Sequence, residues 1–498
     1  MASRLPTPPT CPLAPQLVLC ADGGGSKVCV VIRSNDGVEA RGAAGPCNVQ
    51  SVGHSAAAQA LLLATYRALS LLPSSHTPPD LVIPSSAAIS PSLFPAQPPC
   101  SSLHHSEECA LSKQSTETGA AFRPMRLPGL NVQVFRYAWL GLAGINCETD
   151  AKVFIAHAAS ALNVSEHNLK LSNDVNLLAA PALDLPSIDH VVAMVAGTGT
   201  VGRTIKVARP PRVGPALGGM GKKSTLPLED VAIARGWGYL LCDEGSAFWM
   251  GRLAIRNILA LADRQASSAI YSGPPPALLP LHRDLLDYFG TSDPADLITL
   301  ASLAGPSSEG LDAGEATSRR NAKIAGAARV VFRWAFPDDG LIGIGGLPTP
   351  PGSSDGRDQD PDTDTEAESD LEPEGSIDVS VSSSAVSEVP KHQRMDFTTP
   401  QAQASQAEAL RLARRSVIPL IELTSSLLGD QTVVHPYRTA LALGGGLMMS
   451  KGYRALLLDG LKKEGVVFRR VLVIADAAGE GARAMGKVEF GQGVVTGQ

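Results

Sequence analysis

The stretch LVLCADGGGSKVCVVIRSNDG, residues 17–37, limits the folds open to this chain more than any other, because it reads as two apolar runs joined by a glycine-rich turn. Val28-Cys29-Val30-Val31-Ile32 is rich in β-branched residues and is closed by the turn signal Ser34-Asn35-Asp36-Gly37, so a second strand follows the glycines. The usual phosphate-binding loops instead lead from a strand into a helix, whose N-terminus helps hold the anion. A P-loop needs Gly-Lys followed by Ser or Thr, whereas Lys27 here follows Ser26, and no G-x-G-x-x-G is present. What remains is a β-hairpin with a glycine tip. Its unobstructed N–H groups are able to cradle phosphate oxygens, with Asp22 placed to hold a hydrated Mg²⁺. The same glycines also suit any plain tight hairpin, since glycine is the residue of strained turns.

HVVAMVAGTGTVGRTIKV, His190 to Val207, repeats this design with an apolar strand, a small-residue turn at Gly197-Thr198-Gly199-Thr200 and an alternating second strand. Two such hairpins suggest two lobes of related construction, each a sheet with flanking helices, facing one another across a cleft. Helical patterns fall at Ala56–Leu72, Asp150–Leu162, Ser246–Ala262, Ala322–Phe336, Ala407–Leu428 and Lys451–Glu464. Strands alternating with helices give an α/β fold.

The length of 498 residues allows two or three domains, and a net charge of −6 with scattered basic residues gives no general attraction to nucleic acid or to an anionic membrane. The eight cysteines, at 11, 20, 29, 47, 100, 109, 147 and 242, form no C-x-x-C pair and no zinc-site spacing, so free thiols in a reducing cytoplasm are the simplest account. No apolar run reaches the roughly 20 residues that span a bilayer. Residues 1–15 read as a disordered leader and 16–185 as an N-terminal lobe with a Pro/Ser-rich loop at 73–128, holding at most a strand at Leu81-Val82-Ile83. Residues 186–475 read as a C-terminal lobe with a loop at 209–228 and a disordered acidic insert at 347–405, whose acid, Ser and Pro cannot bury enough apolar surface to order themselves.

Three further stretches carry residues suited to chemistry. In LKLSNDVNLLAA, 169–180, Asp174 follows a short strand and precedes a helical run. It can serve as an N-cap, and a carboxylate at a strand end facing a cleft can also take a proton from a hydroxyl attacking a phosphoryl group. In RGWGYLLCDEGSAFWMG, 235–251, Trp237 stands between two glycines, and Asp243 and Glu244 are expected in the first turn of a helix. Trp237 suits either the core or the wall of a sugar pocket in which Asp243 accepts hydrogen bonds. In TALALGGGLMMSKGYRALLLDGL, 439–461, a buried strand, three glycines and a helix containing Ser450 and Tyr453 allow a flat ring such as adenine to lie on the backbone, or simply close helix–sheet packing.

Together and in this order the motifs resemble the N-acetylglucosamine kinases and, more broadly, the BadF/BadG/BcrA/BcrD-type ATPases of the sugar kinase, Hsp70 and actin superfamily. The resemblance covers about residues 16–72, 130–262 and 410–486. It implies two actin-like (ribonuclease H-like) lobes and an enzyme that uses ATP and Mg²⁺ to phosphorylate N-acetylglucosamine at O6. Residue by residue it implies that Gly24, Gly25, Ser26, Gly197 and Thr198 hold ATP phosphates, while Asp22 orders the metal ion through water. Adenine would rest near Gly444, Gly445 and Gly446, and Asp174 would be the catalytic base. Asn48, Gly199, Thr200, Gly236, Trp237 and Asp243 would surround the acceptor, and Gly144 would line the cleft. DAAGEGARAMG, 476–486, resembles the family's closing helix, which returns to the first lobe. Cys242 departs from the family glycine before Asp-Glu-Gly-Ser. The implied partners are an amino sugar and ATP, with a homodimer the assembly to test. Rival readings are a kinase for glucosamine or another hexose, and a non-catalytic sugar-sensing protein of the same fold.

Overall fold

The computed structural model describes residues 15–25, 27–84, 126–208, 226–274, 276–301, 313–339 and 397–491. Ser26, residues 1–14 of the leader, most of the Pro/Ser-rich loop, residues 209–225 and the acidic insert up to 396 lie outside the described residues.

The first sheet forms from β1 (Leu17–Gly23), β2 (Val28–Ser34), β3 (Glu39–Ala44), β4 (Phe135–Leu142) and β5 (Leu169–Ser172), in the spatial order β3-β2-β1-β4-β5. The second forms from β6 (His190–Ala196), β7 (Thr200–Val207), β8 (Leu228–Arg235), β9 (Thr439–Gly444) and β10 (Arg470–Val473), in the order β10-β9-β6-β7-β8. The two orders are the same pattern. In each, the first three strands form an antiparallel meander and the fourth and fifth add in parallel beside the first. The expected pair of α/β lobes is present, and both glycine-tipped hairpins are formed, β1 to β2 and β6 to β7.

The helices follow the same plan. α1 (Val49–Val52) and α2 (His54–Leu69) lie between β3 and β4, and α3 (Glu148–Leu162) between β4 and β5. The corresponding place in the second lobe, between β8 and β9, holds α4 (Ala247–Ala266), α5 (Pro280–Phe289), α6 (Asp296–Ala301), α7 (Ala313–Gly326), α8 (Ala328–Ala335) and α9 (Pro400–Leu428). α10 (Lys451–Lys463) joins β9 to β10, and α11 (Ala477–Phe490) follows β10. Some boundaries differ from those the sequence suggests. α9 starts at Pro400 because the Thr399 side chain accepts from the Ala402 N–H at 3.2 Å, so the end of the stretch expected to be disordered is helical. Leu81-Val82-Ile83 is not a strand; the Val82 N–H donates to the Asn131 side chain at 3.0 Å, which takes the place of a pairing strand.

Strand alternation divides the apolar residues into three cores. Leu17, Leu19 and Ala21 of β1 face α2 and α3, while Val192, Met194 and Ala196 of β6 face the helices of the second lobe. The opposite faces, Val18 and Cys20 from β1 and Val191 and Ala193 from β6, share a third core between the lobes. That core is filled by the 3-10 segment Asp174–Asp184 and by Ala478, Ala482 and Met485 of α11. α11 does return to the first sheet, where a β-carbon at Gly481 would lie 2.4 Å from Cys20 Sγ.

Candidate active site

Asp22 lies one step beyond Val18 and Cys20 on the same side of β1 and so faces the interlobe core. Its register partner on β4 is Gly141, itself paired with Ser172 of β5. A β-carbon at Gly141 would sit 2.6 Å from Leu177 Cγ and 3.2 Å from Asp174 Cα. Glycine is therefore required there if the 3-10 segment is to pack on the sheet, and Asp22 and Asp174 flank it. The second sheet repeats the device at the matching position, where Gly444 of β9 pairs with Val195 and a β-carbon would lie 2.9 Å from Leu178.

Asp174 does not cap this segment. The preceding Asn173 does so, its side-chain oxygen accepting from the Val175 N–H at 3.3 Å. Asp174 instead accepts, through its carboxylate, from the Val175 N–H at 3.1 Å. Burial pushes its carboxyl up to about 6, against the opposing pull of that amide and of the Arg203 guanidinium.

The strand ends of the first lobe meet around the first hairpin tip. The Cys47 N–H donates to the Gly24 carbonyl at 3.0 Å, the Ala143 N–H to Gly23 at 2.7 Å, and the Val49 N–H to Ala143 at 3.1 Å. Asn48 caps α1 through its oxygen, accepting from Gln50 and Ser51. Gly144, at φ 90°, lies so close that a β-carbon would be 2.7 Å from that oxygen.

A second cluster surrounds Asp243. Its Oδ1 accepts from the Thr200 N–H at 3.2 Å, and β-carbons at Gly199 and Gly236 would come within 2.5 Å and 2.3 Å of its carboxylate. The Gly236 N–H donates to Thr200 O at 2.9 Å and the Ala247 N–H to Gly197 O at 2.8 Å. Gly445 abuts the same hairpin tip, since a β-carbon would stand 2.6 Å from Ala196 O. Gly446 starts the short 3-10 turn that leads to Ser450, the N-cap of α10. Burial raises the Asp243 carboxyl above its usual range. Neither acid of Asp243-Glu244 lies in the first turn of α4, which begins at Ala247 with Ser246 as its cap. Trp237 is 73% exposed and is no core residue.

Backbone strain is concentrated in this loop, where Trp237, Cys242 and Asp243 all have left-handed φ values, of 63°, 90° and 46°. At Cys242 the backbone takes a conformation that glycine adopts without strain. Cys242→Gly is expected to raise stability by about 1 kcal/mol, the relief of left-handed strain exceeding the added entropy of the unfolded chain. Chemical denaturation measures this, and a lower midpoint would show that the thiol's packing outweighs the strain.

The residues suit a nucleotide with Mg²⁺. β-carbons at Gly25 and Gly197 would meet nothing within 4 Å, which leaves open space at both hairpin tips. The Thr200 hydroxyl is buried with no partner, an arrangement that costs about 1–3 kcal/mol unless a ligand completes it. Mg²⁺ takes one or two carboxylates and otherwise water and phosphate oxygens, so Asp22 alone is a sufficient protein anchor. Among the described residues no helix is long and apolar enough to cross a membrane.

Sequence reading missed the polar residues that join the clusters. Arg203 and Asp230 form an ion pair in the second lobe, Asn176 donates to Asp230, and Arg203 also reaches Asn146 O in the first lobe at 3.3 Å. Lys170 of β5 donates to the carbonyls of Leu226 and Leu228 at 3.3 and 3.0 Å. The available signal was a charged residue at a buried register position of β7.

Fold and site define a two-lobed α/β protein with a glycine-tipped hairpin in each lobe and carboxylates on the faces between them. No family model matches the chain, and no curated protein matches it. Among solved structures it is similar to a proposed N-acetylglucosamine kinase of Chromobacterium violaceum, at 16% identity and a TM-score of 0.43 over 94% of this chain and 99% of that one. It is also similar to one of Porphyromonas gingivalis, at 14% identity and a TM-score of 0.45 over 95% and 98%. A hexokinase aligns at 13% identity with a TM-score of 0.33, over 95% and 85%. Such distant likenesses transfer no residue roles, and the fold assignment stands on the strand order.

Proposed function

We propose that the chain is an ATP-dependent sugar kinase that transfers a phosphoryl group to O6 of N-acetylglucosamine. The observation that carries this reading is the position of Asp174, a carboxylate of raised proton affinity beside the glycine that leaves it room on the interlobe face. Asp174 accepts the proton of the C6 hydroxyl as that oxygen bonds to the terminal phosphorus, the bridging P–O bond breaks, and ADP departs. The amides of Gly24, Gly25, Ser26, Gly197 and Thr198 bind the phosphates, and Gly444, Gly445 and Gly446 underlie the adenine. Asp22 would hold Mg²⁺ through water, and the bound ion would supply positive charge to offset that on the transferring group. Asn48, Gly199, Thr200, Gly236, Trp237 and Asp243 receive the sugar, whose hydroxyls need buried acceptors such as Asp243 and partners such as the Thr200 hydroxyl. Lobe closure excludes water, which would otherwise hydrolyse ATP.

The test is ATP consumption across a sugar panel of N-acetylglucosamine, glucosamine and glucose. The highest kcat/KM is expected with N-acetylglucosamine. Equal rates with glucose would remove the acetamido preference, and sugar binding without ATP consumption would leave a sensor in place of an enzyme.

A further inference from the structure

We propose that Arg203 is a positioning residue that fixes the Asp174 segment to the loop after β4 across the interlobe cleft. The inference rests on the reading of Asp174 as the base and goes beyond it, because no motif of the resemblance includes Arg203.

Arg203 lies on β7, between Gly202 and Thr204, and is 5% exposed. One guanidinium nitrogen pairs with Asp230 of β8, and the other donates to Asn146 O at 3.3 Å, from the second lobe to the first. The second oxygen of Asp230 accepts from Asn176, two residues after Asp174. On the other side of Asp174, the Asn173 amide donates to Ile145 O at 3.2 Å. Residues 145–146 are therefore gripped twice, by Asn173 directly and by the Asn176–Asp230–Arg203 chain, with Asp174 between the two grips. The same loop carries Gly144, which abuts Asn48.

A buried guanidinium is a poor choice for stability. Replacing buried ion pairs by apolar side chains is often neutral or favourable, and Arg203 Nε is buried without a partner. The fold alone does not ask for this residue. Its planar fork, however, reaches Asp230 and Asn146 at once, which the single nitrogen of a lysine does not reproduce. Arg203 is also the cation acting on Asp174. The other charged or titratable groups on the elements packed against the segment are Cys20 and Asp22 on β1, Arg136 and Tyr137 on β4, His190 on β6, Lys206 on β7 and, on α11, Glu480, Arg483, Glu489 and Lys487, the last paired with Asp184. β9 carries none.

The experiment compares wild type, Arg203→Met and Arg203→Lys. With the methionine, kcat is expected to fall by about 10²-fold near pH 6.5, and the acid limb of the pH profile to move to higher pH, so that the deficit shrinks by pH 8.5. The lysine variant should keep the wild-type limb while kcat remains reduced about tenfold. A loss of equal size at every pH with an unmoved limb would mark Arg203 as merely structural and overturn the proposal. Should Arg203→Met fail to fold, Arg203→Lys decides, and wild-type kcat in that variant overturns the proposal. A second readout needs no turnover: carbodiimide labelling of Asp174, followed by mass spectrometry, is expected to have its pH midpoint raised in Arg203→Met. If wild type phosphorylates no sugar but this midpoint moves, the kinase reading fails and the Arg203–Asp174 linkage stands. An unmoved midpoint overturns the linkage itself.

Discussion

Asp174→Asn is expected to reduce phosphoryl transfer by about 10²–10⁴-fold, the usual worth of a general base, while leaving ATP affinity within about threefold of wild type. The same variant should be more stable than wild type at pH 7.5. Burial pushes the folded-state carboxyl up to about 6, above its unfolded value, so the folded protein holds that proton more tightly. The resulting stabilisation is fully present below the unfolded pKa and is lost as pH rises through the folded one. Asparagine does not titrate, so its advantage should be about 1–3 kcal/mol at pH 7.5 and should shrink as pH falls toward 4. Urea denaturation at several pH values measures this. Wild-type transfer also requires the ionised base, so it should decline as pH falls through about 6. Loss of activity together with a gain in stability separates a chemical role from misfolding. Wild-type turnover by the asparagine variant would remove Asp174 from the mechanism.

Gly445→Ala is expected to lower ATP affinity more than tenfold and to cost about 2–4 kcal/mol of stability. Gly445 has φ 86°, and the new β-carbon would stand 2.6 Å from Ala196 O and 2.9 Å from Gly197 N. Both are backbone atoms of the second hairpin tip, which cannot swing aside as a flexible side chain can. Gly25→Ala is the control, because nothing lies within 4 Å of its β-carbon and its φ is not left-handed. That change should leave the unfolding midpoint nearly unaltered, within about 0.5 kcal/mol, yet weaken ATP binding by placing a methyl where a phosphate belongs. Calorimetric titration of both variants measures the contrast. Normal affinity in Gly25→Ala would exclude the first hairpin from phosphate binding.

The hairpins and the alternation of strands and helices were legible because they are local, a β-branched run on each side of small residues. The strained loop at 237–243 was legible in composition, through its glycines and its tryptophan, but not in conformation. Nothing in the order Leu-Cys-Asp reveals that Cys242 and Asp243 take left-handed angles. The Arg203–Asp230–Asn176 chain was beyond reach for a different reason. Its members come from two sheet strands and the segment between the sheets, and only the assembled lobes bring them together. That Asn173 and not Asp174 is the cap was likewise beyond a local reading, since both residue types suit that position.

Residues 477–490 are made long after β1, yet they pack on the inner face of a sheet whose first strand begins at Leu17. Until that helix is made, Val18, Cys20 and Val31 lack part of their cover, and the earlier-made half of the molecule waits, sticky and incomplete, for a distant stretch of sequence to seal it.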